Sequence, residues 1–200
     1  MVTPVLLATR NDGKLVELRR ILLAFEQIQL VGLADVAGYD DVAETGATFA
    51  DNALLKAREG ALRTGLVTVA DDSGLCIEAL GGMPGVLSAR WSGGHGDDDA
   101  NLRLVLAQLA DTPDERRAAE FVCAAAVVTS DGREHVEHGR VVGTIIREPR
   151  GDGGFGYDPI FVPASETRTT AEMPAAEKDG ISHRGKAFRA LAPHLAALVR

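Results

Sequence analysis

Short apolar runs alternate along this chain with longer stretches whose apolar residues recur at helical spacing. Pro4-Val-Leu-Leu-Ala8 reads as a first strand, and Leu15, Leu18, Leu22 and Phe25 mark the buried stripe of a following helix. Ile28 to Val31 predicts a second strand. Thr48, with Asp51 three residues on, predicts the capped start of a helix carrying Phe49, Ala53, Ala57 and Ala61 on one face. The β-branched run Val67 to Ala70 predicts a buried strand that stops at Asp71-Asp72-Ser73-Gly74. Asp97-Asp-Asp99 reads as the acidic opening of a helix through Leu102, Leu106 and Leu109. Phe121 to Thr129 predicts a long apolar strand, Ser130-Asp-Gly132 a hairpin turn, and Arg133 to Gly143 the returning partner. A last helix is expected through Phe188, Leu191, Leu195 and Leu198, kinked or restarted at Pro193.

Open α/β sheets place their chemistry at the ends of strands, which directs attention to Asp71 and Asp72. Adjacent carboxylates in an apolar surround persist where a cation or a transferred proton compensates them. The plainer reading is a solvated turn, since Asp, Ser and Gly are ordinary turn formers. Thr9, Asn11 and Lys14 lie where the first strand turns into the first helix, and helix-start amides with a lysine suit an anion. Against that, an Asn cap beside a solvated Lys accounts for the same residues. Asn52 and Lys56 are four apart and share a helix face, a pattern usual for a surface and open to use as a pocket wall. Glu44 lies in the loop before that helix, free to approach the two aspartates. In Gly151-Asp-Gly-Gly-Phe-Gly-Tyr-Asp158 the glycines permit close approach by a ligand, and Phe155 offers a stacking face. His135 and His138 face opposite sides of a strand, so they are expected as surface residues and not as joint metal ligands.

Composition narrows the partners. With 29 acidic against 21 basic side chains the formal charge is −8, unlike a general nucleic-acid or anionic-membrane binder. Aromatics make up 4%, which leaves aliphatic residues and alanine to fill the core. Cys76 and Cys123 sit in apolar runs and read as buried free thiols in a reducing cytoplasm. The first residues show no charged-then-apolar signal pattern and no apolar stretch approaches 18 residues, so neither secretion nor membrane spanning is expected.

Six segments in order carry a closer likeness: Ala8-Thr-Arg-Asn-Asp-Gly-Lys14; Glu44-Thr-Gly-Ala-Thr-Phe49 with Asn52 and Lys56; Ala70-Asp-Asp-Ser-Gly-Leu75; Gly82-Met-Pro-Gly85 with Ser88-Ala-Arg-Trp91; Gly154-Phe-Gly-Tyr-Asp-Pro-Ile-Phe161; and Ser182-His-Arg-Gly185. Together they resemble the Ham1-type nucleoside triphosphate pyrophosphatases, over essentially the whole chain. The resemblance implies an α/β fold of two lobes around a long twisted mixed sheet, with the active site in the cleft between lobes, residues 1–200 forming one such domain. It implies Mg²⁺-dependent hydrolysis of ITP, dITP and XTP to the monophosphate and pyrophosphate, by a cytoplasmic homodimer. It makes Asp72 the catalytic base and Asp72, Glu44 and Asp71 the metal ligands. It sets Thr9, Arg10, Asn11, Asp12, Gly13, Lys14, Lys56 and Ser73 at the substrate, with Phe155, Gly156, Tyr157, Asp158, Lys178, His183 and Arg184 around the base. A Maf-like pyrophosphatase for other nucleotides and a non-catalytic nucleotide sensor are the rival readings.

Overall fold

A computed structural model describes residues 3–22, 28–38, 40 and 42–198, with Asp12 described for its backbone alone. Phe25, expected on the first helix, lies outside these residues. Six strands form one sheet: β1 (Thr3–Leu7), β2 (Ile28–Gly32), β3 (Val67–Ile77), β4 (Ala118–Val128), β5 (Glu134–Ile145) and β6 (Phe161–Pro163), in the order β2-β1-β3-β4-β5-β6. β1 runs parallel to both β2 and β3, and β5 runs antiparallel to β6, so the sheet is mixed. Among the described residues five α-helices accompany it: α1 (Asp12–Leu22), α2 (Phe49–Thr64), α3 (Asp98–Gln108), α4 (Ala175–Ile181) and α5 (His183–Leu198).

The chain divides into two compact units. The first comprises residues 1–72, 123–139 and 184–200. Successive strand residues point to opposite faces, and here each face has its own cover. Val5, Leu7, Val69, Cys123, Ala125 and Val127 pack with Leu18 and Leu22 of α1 and Phe188, Leu191 and Leu195 of α5. Ala8, Ala70, Ala124, Ala126 and Val128 pack against Ala53, Ala57 and Ala61 of α2. Alanine on both sides lets α2 lie close to the sheet, and Gly60 lets it lie closer: a Cβ there would stand 2.7 Å from the Thr68 side chain. The second unit, residues 73–122 and 140–183, has its own core of Leu75, Ile77, Leu102, Val105, Leu109, Phe121, Ile145, Ile160 and Phe161.

Several expectations need correction. β3 does not stop at the aspartates but continues through Asp71, Asp72, Ser73 and Gly74 to Ile77. The turn residues are overridden because Gly74 is buried against Gly85 and Ser88, where a Cβ would come within 2.4 Å of the Gly85 carbonyl oxygen. α5 runs through Pro193 without restarting, and α4 was not foreseen. Cys76 is half-buried, whereas Cys123 is buried; both are free thiols.

Candidate active site

In the first unit, the alternation of β3 sends its two carboxylates to opposite sides. Asp71 follows Val67 and Val69 toward α1 and α5. Its Oδ2 lies 3.1 Å from Lys14 Nζ and 3.3 Å from Arg184 Nε. Arg184, 2% exposed, also pairs through Nη1 with the buried Glu17 of α1. Burial alone would raise the Asp71 pKa, but Lys14, Arg184 and Lys56 outweigh it and hold the carboxyl well below the usual range. Burial pushes the neighbouring Cys123 thiol far up, and Asp71 adds to the effect. That thiol is inert as a nucleophile.

Asp72 follows Thr68 and Ala70 toward α2. Asn52 Nδ2 donates to its Oδ2 at 3.0 Å, and Lys56 Nζ stands 3.7 Å from its Oδ1. The same ammonium donates to Glu44 Oε1 at 2.8 Å. For Asp72 burial wins: despite Lys56 and Lys14, and with Glu44 adding repulsion, its pKa is raised. Lys56 is also buried, yet Asp72, Asp71 and Glu44 together raise its pKa, so it stays charged. Two acids one residue apart are thus driven in opposite directions. Such a split is how one site supplies a permanent anion and a proton acceptor.

The helices place these groups for local reasons. Asn11 caps α1, its Oδ1 accepting from the Lys14 amide at 2.9 Å, and Thr9 Oγ1 accepts from the Asn11 amide at 3.3 Å. The plain cap reading therefore holds for Asn11. It fails for Lys14, whose side chain is only 13% exposed and ion-paired. α2 opens with a full capping box, the Asp51 amide donating to Thr48 Oγ1 at 3.1 Å and the Thr48 amide to Asp51 Oδ2 at 3.0 Å. Asn52, whose spacing with Lys56 suggested a surface pair, is fully buried. Its Oδ1 accepts from the Gly46 amide at 2.8 Å, tying the Glu44 loop to α2. Arg10 is exposed and Gly13 half-buried at the β1-to-α1 turn.

The second unit holds the other group of expected residues. A tight loop after Gly151 ends in a short 3₁₀ turn over Asp158–Ile160. Asp158 organises it: its Oδ2 accepts from the Phe155 amide at 2.8 Å and from Lys178 Nζ at 2.6 Å, and its Oδ1 from Thr170 Oγ1 at 2.7 Å. Gly154 adopts φ +73°, and a Cβ there would overlap the Asp158 carboxylate. The Lys178 ammonium lies 5.2 Å from the centre of the Phe155 ring. His183 stacks on Phe121, centroids 4.9 Å apart, and with Asp158, Thr170, Lys178 and Ser182 it lines a recess. Tyr157 is buried, its hydroxyl donating to the Ser88 carbonyl at 2.8 Å, and the Gly156 amide donates to Asp98 Oδ2 at 2.8 Å. Ser73 is half-buried on β3.

Glu17, Asp98 and Thr170 carry these arrangements without having stood out as site residues, whereas the pocket-wall reading had pointed to Asn52. Glu17 sits three residues from Lys14 on α1, a spacing that also describes an exposed ion pair.

A protein-family model described as "Ham1 family" matches residues 5–194. The chain belongs to the Ham1 family. A Nocardia farcinica protein named dITP/XTP pyrophosphatase is 61% identical, the alignment covering 97% of this chain and 95% of that protein. A Mycobacterium tuberculosis H37Rv protein of the same name is 58% identical over 99% of this chain and 98% of its own length. Among solved structures, a Mycobacterium abscessus nucleoside-triphosphatase / dITP/XTP pyrophosphatase is 59% identical with a TM-score of 0.78, covering 96% of this chain and all of that one. The Staphylococcus aureus Ham1 protein, 36% identical, superposes with a TM-score of 0.86 over 98% of this chain and 99% of its own. These likenesses bear out the α/β class with a mixed sheet and flanking helices.

Proposed function

We propose that this chain hydrolyses non-canonical purine nucleoside triphosphates such as dITP, ITP and XTP to the monophosphate and pyrophosphate. The observation that carries the reading is the charge cluster around the two buried carboxylates of β3: Lys56 joins Glu44 and Asp72, and Lys14 joins Asp71. The shared name dITP/XTP pyrophosphatase on relatives 58–61% identical over nearly their full lengths supports it.

A divalent cation fits this cluster on its donor chemistry. Asp72 and Glu44 are oxygen donors gathered on one ammonium, and burial, the first cause of the raised pKa of Asp72, leaves its charge poorly solvated. Asp72 and Glu44 would hold Mg²⁺, a hard ion that prefers carboxylates and water. When bound it supplies positive charge to the phosphate oxygens. Asp71 is better placed as the fixed partner of Lys14 and Arg184 than as a metal ligand. Arg184 then positions Asp71 rather than touching the base.

Asp72 accepts the proton of the water that attacks the α-phosphorus. The bond from that phosphorus to the bridging oxygen breaks, and pyrophosphate leaves with the electron pair. Lys14 and Lys56 meet charge on the phosphate chain, with the Thr9–Lys14 turn and Ser73 supplying donors. In the second unit, Phe155 stacks on the purine. Lys178 donates to the 6-oxygen that hypoxanthine and xanthine share, while Asp158 and Thr170 hold the lysine's position and His183 closes the edge. An adenine amino group would face the ammonium donor to donor. Rejecting a substrate that leaves a buried donor unpaired reaches roughly 10⁴-fold. The enzyme acts as a homodimer in the cytoplasm, where two free thiols persist.

Phosphorus NMR of an ITP digest, with and without Mg²⁺, tests the reading. IMP and pyrophosphate should appear only with the metal. Release of orthophosphate and IDP, or preference for ATP over ITP, would overturn it.

A further inference from the structure

In the first unit, a second group of metal-ligating side chains lies outside the carboxylate cluster. His135 and Glu137 are two apart on β5 and leave on the same face. That face is the one α5 covers, and His194 of α5 sits one residue before the buried Leu195, at the margin of the helix's apolar stripe. The three side chains meet there. Nε2 of His135 lies 2.8 Å from Oε1 of Glu137, Nε2 of His194 lies 3.4 Å from the same oxygen, and one ligand atom from each of the three residues falls within 4.8 Å of the others. The two imidazoles stack with centroids 3.6 Å apart.

We propose that His135, Glu137 and His194 form a binding site for one transition-metal dication of the zinc class, with water completing its coordination. Bonds of about 2.0–2.1 Å in a tetrahedral shell set neighbouring ligand atoms roughly 3.3 Å apart. The two separations to Glu137 straddle that value. Two imidazole nitrogens with one carboxylate select zinc, cobalt, nickel or copper over magnesium, which takes oxygen donors. The stacked rings aim their lone pairs side by side, and a shared ion must lie near both ring planes. One ring therefore tilts on binding. His194, with 47% of its side chain exposed, has the room to do so. None of the three takes part in the phosphate or base chemistry above. An ion here would pin the start of β5 to the end of α5 without entering the reaction.

Cobalt(II) is the probe. The full-length protein, with Mg²⁺ in large excess to fill oxygen-donor sites, is titrated with Co²⁺ and read by visible d–d absorption, then back-titrated with Zn²⁺. One equivalent per chain should give a band that Zn²⁺ abolishes. His135→Ala and His194→Ala should each weaken binding by at least about tenfold. Both variants should keep the Mg²⁺-dependent turnover of ITP, which also shows that they fold. No band in the wild type would reduce the cluster to a surface ion pair. A band that survives in the double variant would place the ion elsewhere. Either result overturns the proposal.

Discussion

At the scale of single residues, the environments of Asp71 and Asp72 decide their work. Asp72→Asn keeps the size and one acceptor oxygen but cannot take a proton. Turnover of ITP should fall by about 10²–10⁴, the usual contribution of a general base, with the circular dichroism spectrum and Tm retained. Wild-type kcat in that variant would remove Asp72 from the role. Asp71 makes the opposite prediction, about stability. Its folded pKa is depressed, so it contributes stability above the unfolded value of about 3.9 and loses it as pH falls further. In urea titrations at several pH values, Asp71→Asn should be less stable than wild type at pH 7, and the gap should narrow in acid. Arg184→Met strips a cation from two buried carboxylates, Glu17 and Asp71, of which Asp71 keeps Lys14. Breaking a buried pair from one side costs about 3–5 kcal/mol, so the urea midpoint should drop steeply. A small change would mean that Arg184 points to the base after all.

Among elements, α2 shows how far the chain's pattern could be followed. Its cap, its alanine stripe and its length are all local properties, and Thr48, Asp51, Ala53, Ala57 and Ala61 behave as their spacing says. Thr48→Ala removes the cap oxygen that accepts from the Asp51 amide and its hydroxyl bond to Asp51 Oδ2, and should cost about 0.5–2 kcal/mol in chemical denaturation. ITP turnover at 25 °C should be spared, because packing of the alanine face still holds Asn52 and Lys56 in place. What could not be followed was where a polar residue ends up once tertiary contacts form. Asn52 looked like a surface residue because burial of an amide depends on partners distant in the chain, here Asp72 and the Gly46 amide. The end of β3 was misjudged for a related reason. Asp-Ser-Gly favours a turn locally, but the lysines and Asn52 satisfy the carboxylates, and the Gly85 backbone fits against Gly74. The meeting of His135 with His194 was invisible because the two lie far apart in the chain.

For the molecule as a whole, the two units raise the question of whether the chain melts in one step or two. Each has a separate core, and neither core borrows residues from the other. Yet single strands feed both. β3 gives Val69 and Ala70 to the cores of the first unit, and Leu75 and Ile77 to that of the second. β4 does the same in reverse order, with Phe121 in the second unit's core and Cys123 and Ala124 in the first's. A strand frayed in one unit loses the ladder bonds that hold it flat in the other. Independent melting would require β3 and β4 each to break within a few residues of Asp72 and Val122, in the middle of a continuous strand. Scanning calorimetry should therefore give one endotherm whose van't Hoff and calorimetric enthalpies agree, as for a two-state domain. Two resolved transitions, or a van't Hoff enthalpy near half the calorimetric one, would show that the units unfold separately. In that case the charge cluster around Asp71, which belongs wholly to the first unit, should follow only one of the two steps when Arg184→Met is scanned beside the wild type.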